Sequence, residues 1–216
     1  MENFTITELF TSYLLKRGRN LMHPSIYPFL LDFIVIEMDL DGNIMIDNDY
    51  NMLTTDKVPV NAYSKVLYDL IREKNRKVSL RAFLGVITAD GTYFNAIVPL
   101  EDGLQAKGMV RLTNTRNWLN WRKVTFFHNA LFDWHFQALK RNFFNSSESL
   151  DLILFVSAVN RLFVFKKLFI GAEKRMYREK RKELFSKSKR LSRIMSIAQG
   201  TYMSKTLVTA RTYTEY

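Results

Sequence analysis

The sequence of 216 residues has no cysteine, three histidines, and only 8 glycines and 4 prolines. The lack of cysteine excludes disulfide bonds, thiolate metal sites and cysteine nucleophiles, but it does not identify a cellular compartment. The few glycines never cluster into a phosphate-binding loop, and the motifs GxSxG, GxGxxG, HExxH and the Walker loop are absent. We therefore predict a protein that is not an enzyme and that uses no cofactor and no metal ion.

Long uncharged apolar runs are also missing. The most apolar stretch, 150–170, is interrupted by four charged residues, and its longest uncharged part runs only from 152 to 160. A membrane span requires roughly 20 such residues, and the N-terminus lacks the basic start and apolar run of a signal peptide. We therefore expect an intracellular, soluble protein without a membrane span, or one that is made inside a cell and then assembled into a virion.

Charge is distributed unevenly along the chain, whose formal net charge is +11. Residues 1–99 carry 10 bases and 12 acids, whereas residues 100–216 carry 22 bases and 9 acids. Segment 32–56 has seven acids and no base, and segment 161–193 has thirteen bases and three acids. A chain with one acidic and one basic pole can bind an anionic partner, or it can dock on copies of itself.

Two segments of the first half predict β-hairpins. In each, runs rich in branched and aromatic residues flank an Asp-Gly pair, which favours a two-residue turn. The first covers 33–47 with its turn at 41–42, and the second covers 83–98 with its turn at 90–91. A helix that starts near Pro59 separates them, so we predict a ββαββ sheet unit.

We predict an α+β fold of three segments. Residues 1–108 hold the sheet unit and an N-terminal helix, which the capping-box spacing of Thr5 and Glu8 opens. Residues 109–200 are predicted to be mainly helical and to include a basic helix. Residues 201–216 combine Thr, Tyr and Val without glycine or proline, which favours an extended C-terminal arm.

Bases and aromatic residues mix between Arg111 and Lys123, as they do in proteins that stack single-stranded bases over a cationic groove. This stretch includes Trp118 and Trp121. We favour packing over stacking, because nine aromatic residues between 118 and 144 fit a helical segment that fills a core.

The basic helix is the principal candidate binding surface. Tyr177, Leu184, Leu191 and Ala198 recur every seven residues and give it only a narrow apolar stripe. Most of its bases must therefore face water or a partner, and the phosphates of DNA or RNA are the first candidate partner. The predicted nucleic-acid or partner-binding residues are Lys166, Lys167, Lys174, Arg175, Arg178, Lys180, Arg181, Lys182, Lys187, Lys189, Arg190 and Arg193.

The acidic segment of a neighbouring copy is the second candidate partner. Contacts of this kind run head to tail and close into a ring if the rotation allows it, and the C-terminal arm can add a strand to a neighbour. The predicted subunit-contact residues are Asp39, Asp41, Asp47, Asp49, Thr206, Leu207 and Val208.

These features favour a non-enzymatic structural subunit of a large homo-oligomeric assembly. Its most specific form is a virion component, such as a phage head–tail connector or ring protein whose basic surface lies near packaged DNA. The alternative is a sequence-nonspecific nucleic-acid-binding protein of ribosomal or nucleoid type. A third and less favoured hypothesis is a metal-dependent hydrolase that uses Asp39, Asp41, Asp47 or His128.

Overall fold

The described residues form helices and two small antiparallel sheets, which confirms the predicted α+β class. The computed structural model describes residues 4–23, 26–74, 76–114, 122–127, 129–145, 150–162 and 168–200. The predicted C-terminal arm lies outside these residues.

The N-terminal helix begins as predicted. In α1 (Ile6–Lys16), the Thr5 hydroxyl accepts a hydrogen bond from the Glu8 amide at 3.2 Å, and the Glu8 carboxylate accepts one from the Thr5 amide at 2.9 Å. This capping box satisfies two amides that the start of a helix leaves without a partner. Every residue from 6 to 15 is buried, so α1 lies in the centre of the fold.

The first predicted hairpin is wrong as a hairpin, because α2 (Tyr27–Leu40) replaces its first strand with helix, although the residues after the turn form a strand at Ile44–Ile46 as predicted. A continuous run of branched residues fits a buried strand and a buried helix equally well. The run in α2 is buried on all sides, from Leu30 to Asp39. The Asp-Gly pair ends this helix, and Gly42 adopts a φ of 74° that favours glycine.

The sheet begins only after that turn. Strands β1 (Ile44–Ile46) and β2 (Asn51–Thr54) form an antiparallel hairpin, and β3 (Val78–Ser79) pairs with the other side of β2. Met45 lies opposite Leu53 in this hairpin. Both side chains are exposed, at 57% and 37%, so one face of the sheet is open while the other covers the core.

The second predicted hairpin is also wrong, because two helices occupy it. These are α4 (Leu80–Ala89) and α5 (Phe94–Ala106), which are separated by a turn in which Gly91 has a φ of 77°. The predicted helix between the two segments is confirmed as α3 (Ala62–Glu73), which follows β2.

The described helices are short compared with a membrane span. None of them is by itself long and apolar enough to cross a membrane. The pair α4 and α5 together reaches the required length and composition, but the two helices are bent by 86° at the turn between them.

The second half opens with a hairpin where we predicted helix. Strand β4 (Val110–Asn114) pairs antiparallel with β5 (Arg122–Phe126), and α6 (Asn129–Asn145) starts after it. The alternation of apolar and polar residues from Val110 to Thr113 is the strand pattern that the many aromatic residues obscured. Trp118 and Trp121 lie outside the described residues.

The basic helix is two helices rather than one. After α7 (Leu150–Leu162) come α8 (Ala172–Lys187) and α9 (Lys189–Ala198), with Ser188 between them in an extended conformation. The Ser188 hydroxyl accepts hydrogen bonds from the amides of Arg190 at 3.1 Å and Leu191 at 3.4 Å. Ser188 therefore caps α9, and the cap permits a change of direction after α8.

One hydrophobic core joins elements from both halves of the chain. Helix α1 contacts α2 and α5 as well as α6 and α7, and α9 packs against α2 and α7. Phe155 of α7 is fully buried, with its ring centre 6.3 Å from that of Phe10, 5.5 Å from Tyr13 and 5.3 Å from Phe136. Elements on both sides of residue 108 therefore share this aromatic cluster.

Candidate nucleic-acid interface

Helix α8 has an inner side and an outer side. Tyr177 is 6% exposed and Leu184 is partly buried, so the predicted apolar stripe faces the core. Arg175, Arg178 and Lys182 are exposed and follow one another at intervals of three and four residues, which places them on one side of a helix. We call these three residues the α8 outer face.

The structure separates the other predicted binding residues by their surroundings. Lys189 is exposed, whereas Lys174 and Arg181 are partly buried. Six further predicted site residues lie outside what the structure describes: Lys166, Lys167, Thr206, Leu207, Val208 and the side chain of Lys187.

Lys180 is one predicted binding residue that acts within the chain. Its ammonium group donates to the carbonyl of Phe143, lies 3.5 Å from the carbonyl of Phe144, and sits 5.2 Å from the centre of the Phe143 ring. Both carbonyls belong to the last turn of α6, where helical carbonyls lack partners and carry partial negative charge. Lys180 therefore fastens α8 to the end of α6.

The acidic and basic segments meet within one chain, at Asp39 and Arg190. The Asp39 side chain is 3% exposed, and the Arg190 Nε lies 3.2 Å from its Oδ2. A terminal nitrogen of Arg190 also donates to the main-chain carbonyl of Asp39, and the Ile46 amide donates to Asp39 Oδ1 at 3.2 Å. Nearby, Arg193 donates to the Asn48 side chain at 2.9 Å. The pairing that we predicted between copies thus has a counterpart inside the molecule.

Three of the seven acids in segment 32–56 are buried in α2. Asp32, Glu37 and Asp39 are exposed by 6% or less. Burial raises the pKa of Glu37, although this carboxylate accepts hydrogen bonds from Tyr63 at 2.7 Å and Asn61 at 3.0 Å. The acidic pole of the sequence is therefore partly an internal feature of the fold.

The remaining predicted acids lie near the β1–β2 hairpin. Asp41 and Asp49 are exposed. Asp47 is partly buried, accepts hydrogen bonds from the amides of Asp49 and Asn51 at 2.9 and 3.0 Å, and lies 3.2 Å from the Lys77 ammonium group. The hydrogen bonds of Asp47 close the turn, so the acidic surface is smaller than the sequence indicates.

The hairpin β4–β5 carries a second set of cations, which the sequence analysis placed in the mainly helical region 109–200. Arg111 and Lys123 are both exposed on it. The alternation of residues 110–113 is the signal that would have placed them on a strand.

The described part of the chain offers no cluster of metal-ligating side chains. No group of three or more His, Asp or Glu side chains there is placed to hold a metal ion. His128 lies outside the described residues, and Asp39 is already paired with Arg190.

Comparison with known proteins adds no relative. No protein-family model matches this chain, and no curated protein is significantly similar to it.

Proposed function

We propose that this protein is a non-enzymatic nucleic-acid-binding protein whose principal phosphate contact is the α8 outer face. The observation that carries the proposal is the row of exposed cations Arg175, Arg178 and Lys182. At a rise of about 1.5 Å per residue these side chains extend over about 10 Å of helix, which is enough to follow a phosphate backbone.

Little within the described part of the chain neutralises this row. Helices α8 and α9 contain ten bases and three acids. The Arg175 Nε lies 3.8 Å from the Glu179 Oε1, but both side chains are largely exposed, at 81% and 69%. Solvent screens such a pair, so it neutralises little of the Arg175 charge. Neither Arg178 nor Lys182 forms an ion pair or a side-chain hydrogen bond with any described residue. Contacts between such exposed cations and phosphates contribute to affinity but do not distinguish one nucleotide sequence from another.

The first test is the double substitution Arg178→Gln/Lys182→Gln. Each phosphate contact contributes about 0.9 to the slope of log affinity against log salt, so we expect that slope to fall by about 1.8. Affinity for a 30-bp duplex at low salt should fall roughly tenfold or more. The measurement is fluorescence anisotropy from 50 to 200 mM NaCl.

A matched control removes the same charge elsewhere. Lys65 and Arg81 are exposed on α3 and α4, and Lys65→Gln/Arg81→Gln should leave the slope near the wild-type value. Equal slopes for the two double variants would show that net charge, not the α8 outer face, determines binding.

A second candidate function is a structural subunit of a homo-oligomeric assembly, including the virion connector or ring. The observation that favours it is an exposed apolar patch beside the sheet: Met45 and Leu53 are opposite each other, and Val58 is 45% exposed. Leu53 and Val58 line one groove together with Arg72 and Arg76. Exposed apolar patches of this kind mark protein–protein contacts.

This second candidate predicts a discrete oligomer. Light scattering after nuclease treatment should give an absolute mass that is a whole multiple of 25.5 kDa. The substitution Met45→Ser/Leu53→Ser should lower that mass toward the monomer, because it removes the apolar contact. A wild-type monomer at every concentration would count against the assembly.

A further inference from the structure

The β4–β5 hairpin has one exposed face that the α8 proposal does not use. Successive side chains of a strand point to opposite faces. The inward-facing residues are buried or partly buried against the core: Val110, Leu112, Val124 and Phe126. The outward-facing residues are exposed and polar: Arg111, Thr113, Lys123 and Thr125. We call these four residues the ribbon face.

The ribbon face has a regular arrangement. Arg111 lies opposite Thr125, and Thr113 lies opposite Lys123, so the two cations occupy one diagonal and the two hydroxyls the other. Alternate residues of a strand are about 6.8 Å apart, which equals the rise of two base pairs in a duplex. Neither cationic side chain forms a hydrogen bond or an ion pair within the described residues.

The sequence around this hairpin is free of acids. From 103 to 132, between Asp102 and Asp133, there is no Asp or Glu and there are five Lys or Arg residues. The partner that complements such a surface is negatively charged.

The hairpin is anchored at the outer edge of β4 and at its base. The Leu112 amide donates to the Gln105 side chain at 2.8 Å, and the Phe127 amide donates to the Met109 carbonyl at 3.0 Å. Helices α1 and α5 pack behind the strands. The backbone of a ribbon fixed in this way needs no further ordering on binding, so the ordering cost is confined to the exposed side chains.

We propose that the ribbon face enters the major groove of B-form DNA and contacts base edges. That groove is about 12 Å wide and admits a two-stranded ribbon, whereas the major groove of A-form RNA is deep and narrow. Arginine and lysine pair with the O6 and N7 of guanine, and threonine contacts base edges or the thymine methyl group. The inference rests on the proposed function for overall affinity and adds a sequence preference, which phosphate contacts do not supply.

The test is selection from a pool of 30-bp DNA duplexes with a randomised centre. The wild-type protein should enrich a short motif that contains guanine. Arg111→Lys keeps the charge but loses the planar fork of the guanidinium group, so preference for the motif over unselected DNA should fall by roughly tenfold while the salt slope stays the same. The motif as an RNA duplex should bind more weakly than the DNA.

The Arg178→Gln/Lys182→Gln variant separates this inference from the proposed function. It should bind all duplexes more weakly and keep the same motif preference. The ribbon inference is overturned if the wild type enriches no motif, if Arg111→Lys leaves the preference intact, or if the RNA duplex binds more tightly. If the motif depends on Arg111 but the α8 variant binds as the wild type does, the ribbon inference holds and the α8 proposal fails.

Discussion

Replacing Phe155 with alanine is expected to lower the free energy of unfolding by about 4 kcal/mol. Removing a fully buried phenylalanine ring costs about 3–5 kcal/mol through lost burial and the cavity left behind, and this ring contacts the rings of Phe10, Tyr13 and Phe136. Urea unfolding followed by circular dichroism measures the change. A single transition is expected, because the cluster joins α1 and α6 to α7.

Phe127 provides the matched control, because it is a phenylalanine that is 64% exposed. Phe127→Ala removes the same atoms from the surface and should cost less than about 1 kcal/mol. If Phe155→Ala does not fold, Phe155→Leu keeps most of the volume and should cost about 1.5 kcal/mol. Equal costs at positions 155 and 127 would contradict the central place of Phe155 in the core.

Replacing Arg190 with alanine is expected to destabilise the fold by about 2–3 kcal/mol. Breaking a buried ion pair costs about 3–5 kcal/mol, because it leaves one charge buried without a partner. The Arg190 side chain is 50% exposed, so solvent screening lowers the expected cost. Thermal and urea unfolding of Arg190→Ala measure it.

Arg175→Ala is the control for this ion pair. Arg175 pairs with Glu179 on the open surface, so its removal should cost less than about 0.5 kcal/mol. Asp39→Asn, Arg190→Ala and the two substitutions together form a double-mutant cycle, which isolates the coupling between the two side chains. A coupling near zero would mean that Arg190 only lies beside Asp39 and does not stabilise it.

Helix ends were predictable where side chains bond to the local backbone. The capping box at Thr5 and Glu8 acts over three residues, so the sequence contains everything that defines the start of α1. Helix α3 was predictable for a similar reason, because its amphipathic pattern is contained within the segment itself. Ser188 caps α9 through the same chemistry, yet the continuous charge pattern around it led us to expect one helix.

The strands and buried helices were not predictable in the same way. In α2 the branched residues are buried on every side, so no periodicity separates helix from strand, and the Asp-Gly pair occurs at the ends of helices as well as in hairpins. Tertiary packing determines whether such a segment becomes a helix or a strand. The α8 outer face was predictable because charge and spacing are sequence properties, whereas the pairing of Arg190 with Asp39 spans 151 positions and depends on the whole fold.

The contact between the Ile46 amide and Asp39 also bears on aggregation. β1 is an outer strand of its sheet, and the unpaired amides of such a strand are a template to which strands of other molecules can add. The Ile46 amide on this edge donates a hydrogen bond to the Asp39 carboxylate, and the ion pair with Arg190 holds that carboxylate in place. Asp39 therefore shields this edge of the sheet. Its loss would favour strand pairing between molecules as well as lower the stability of each one.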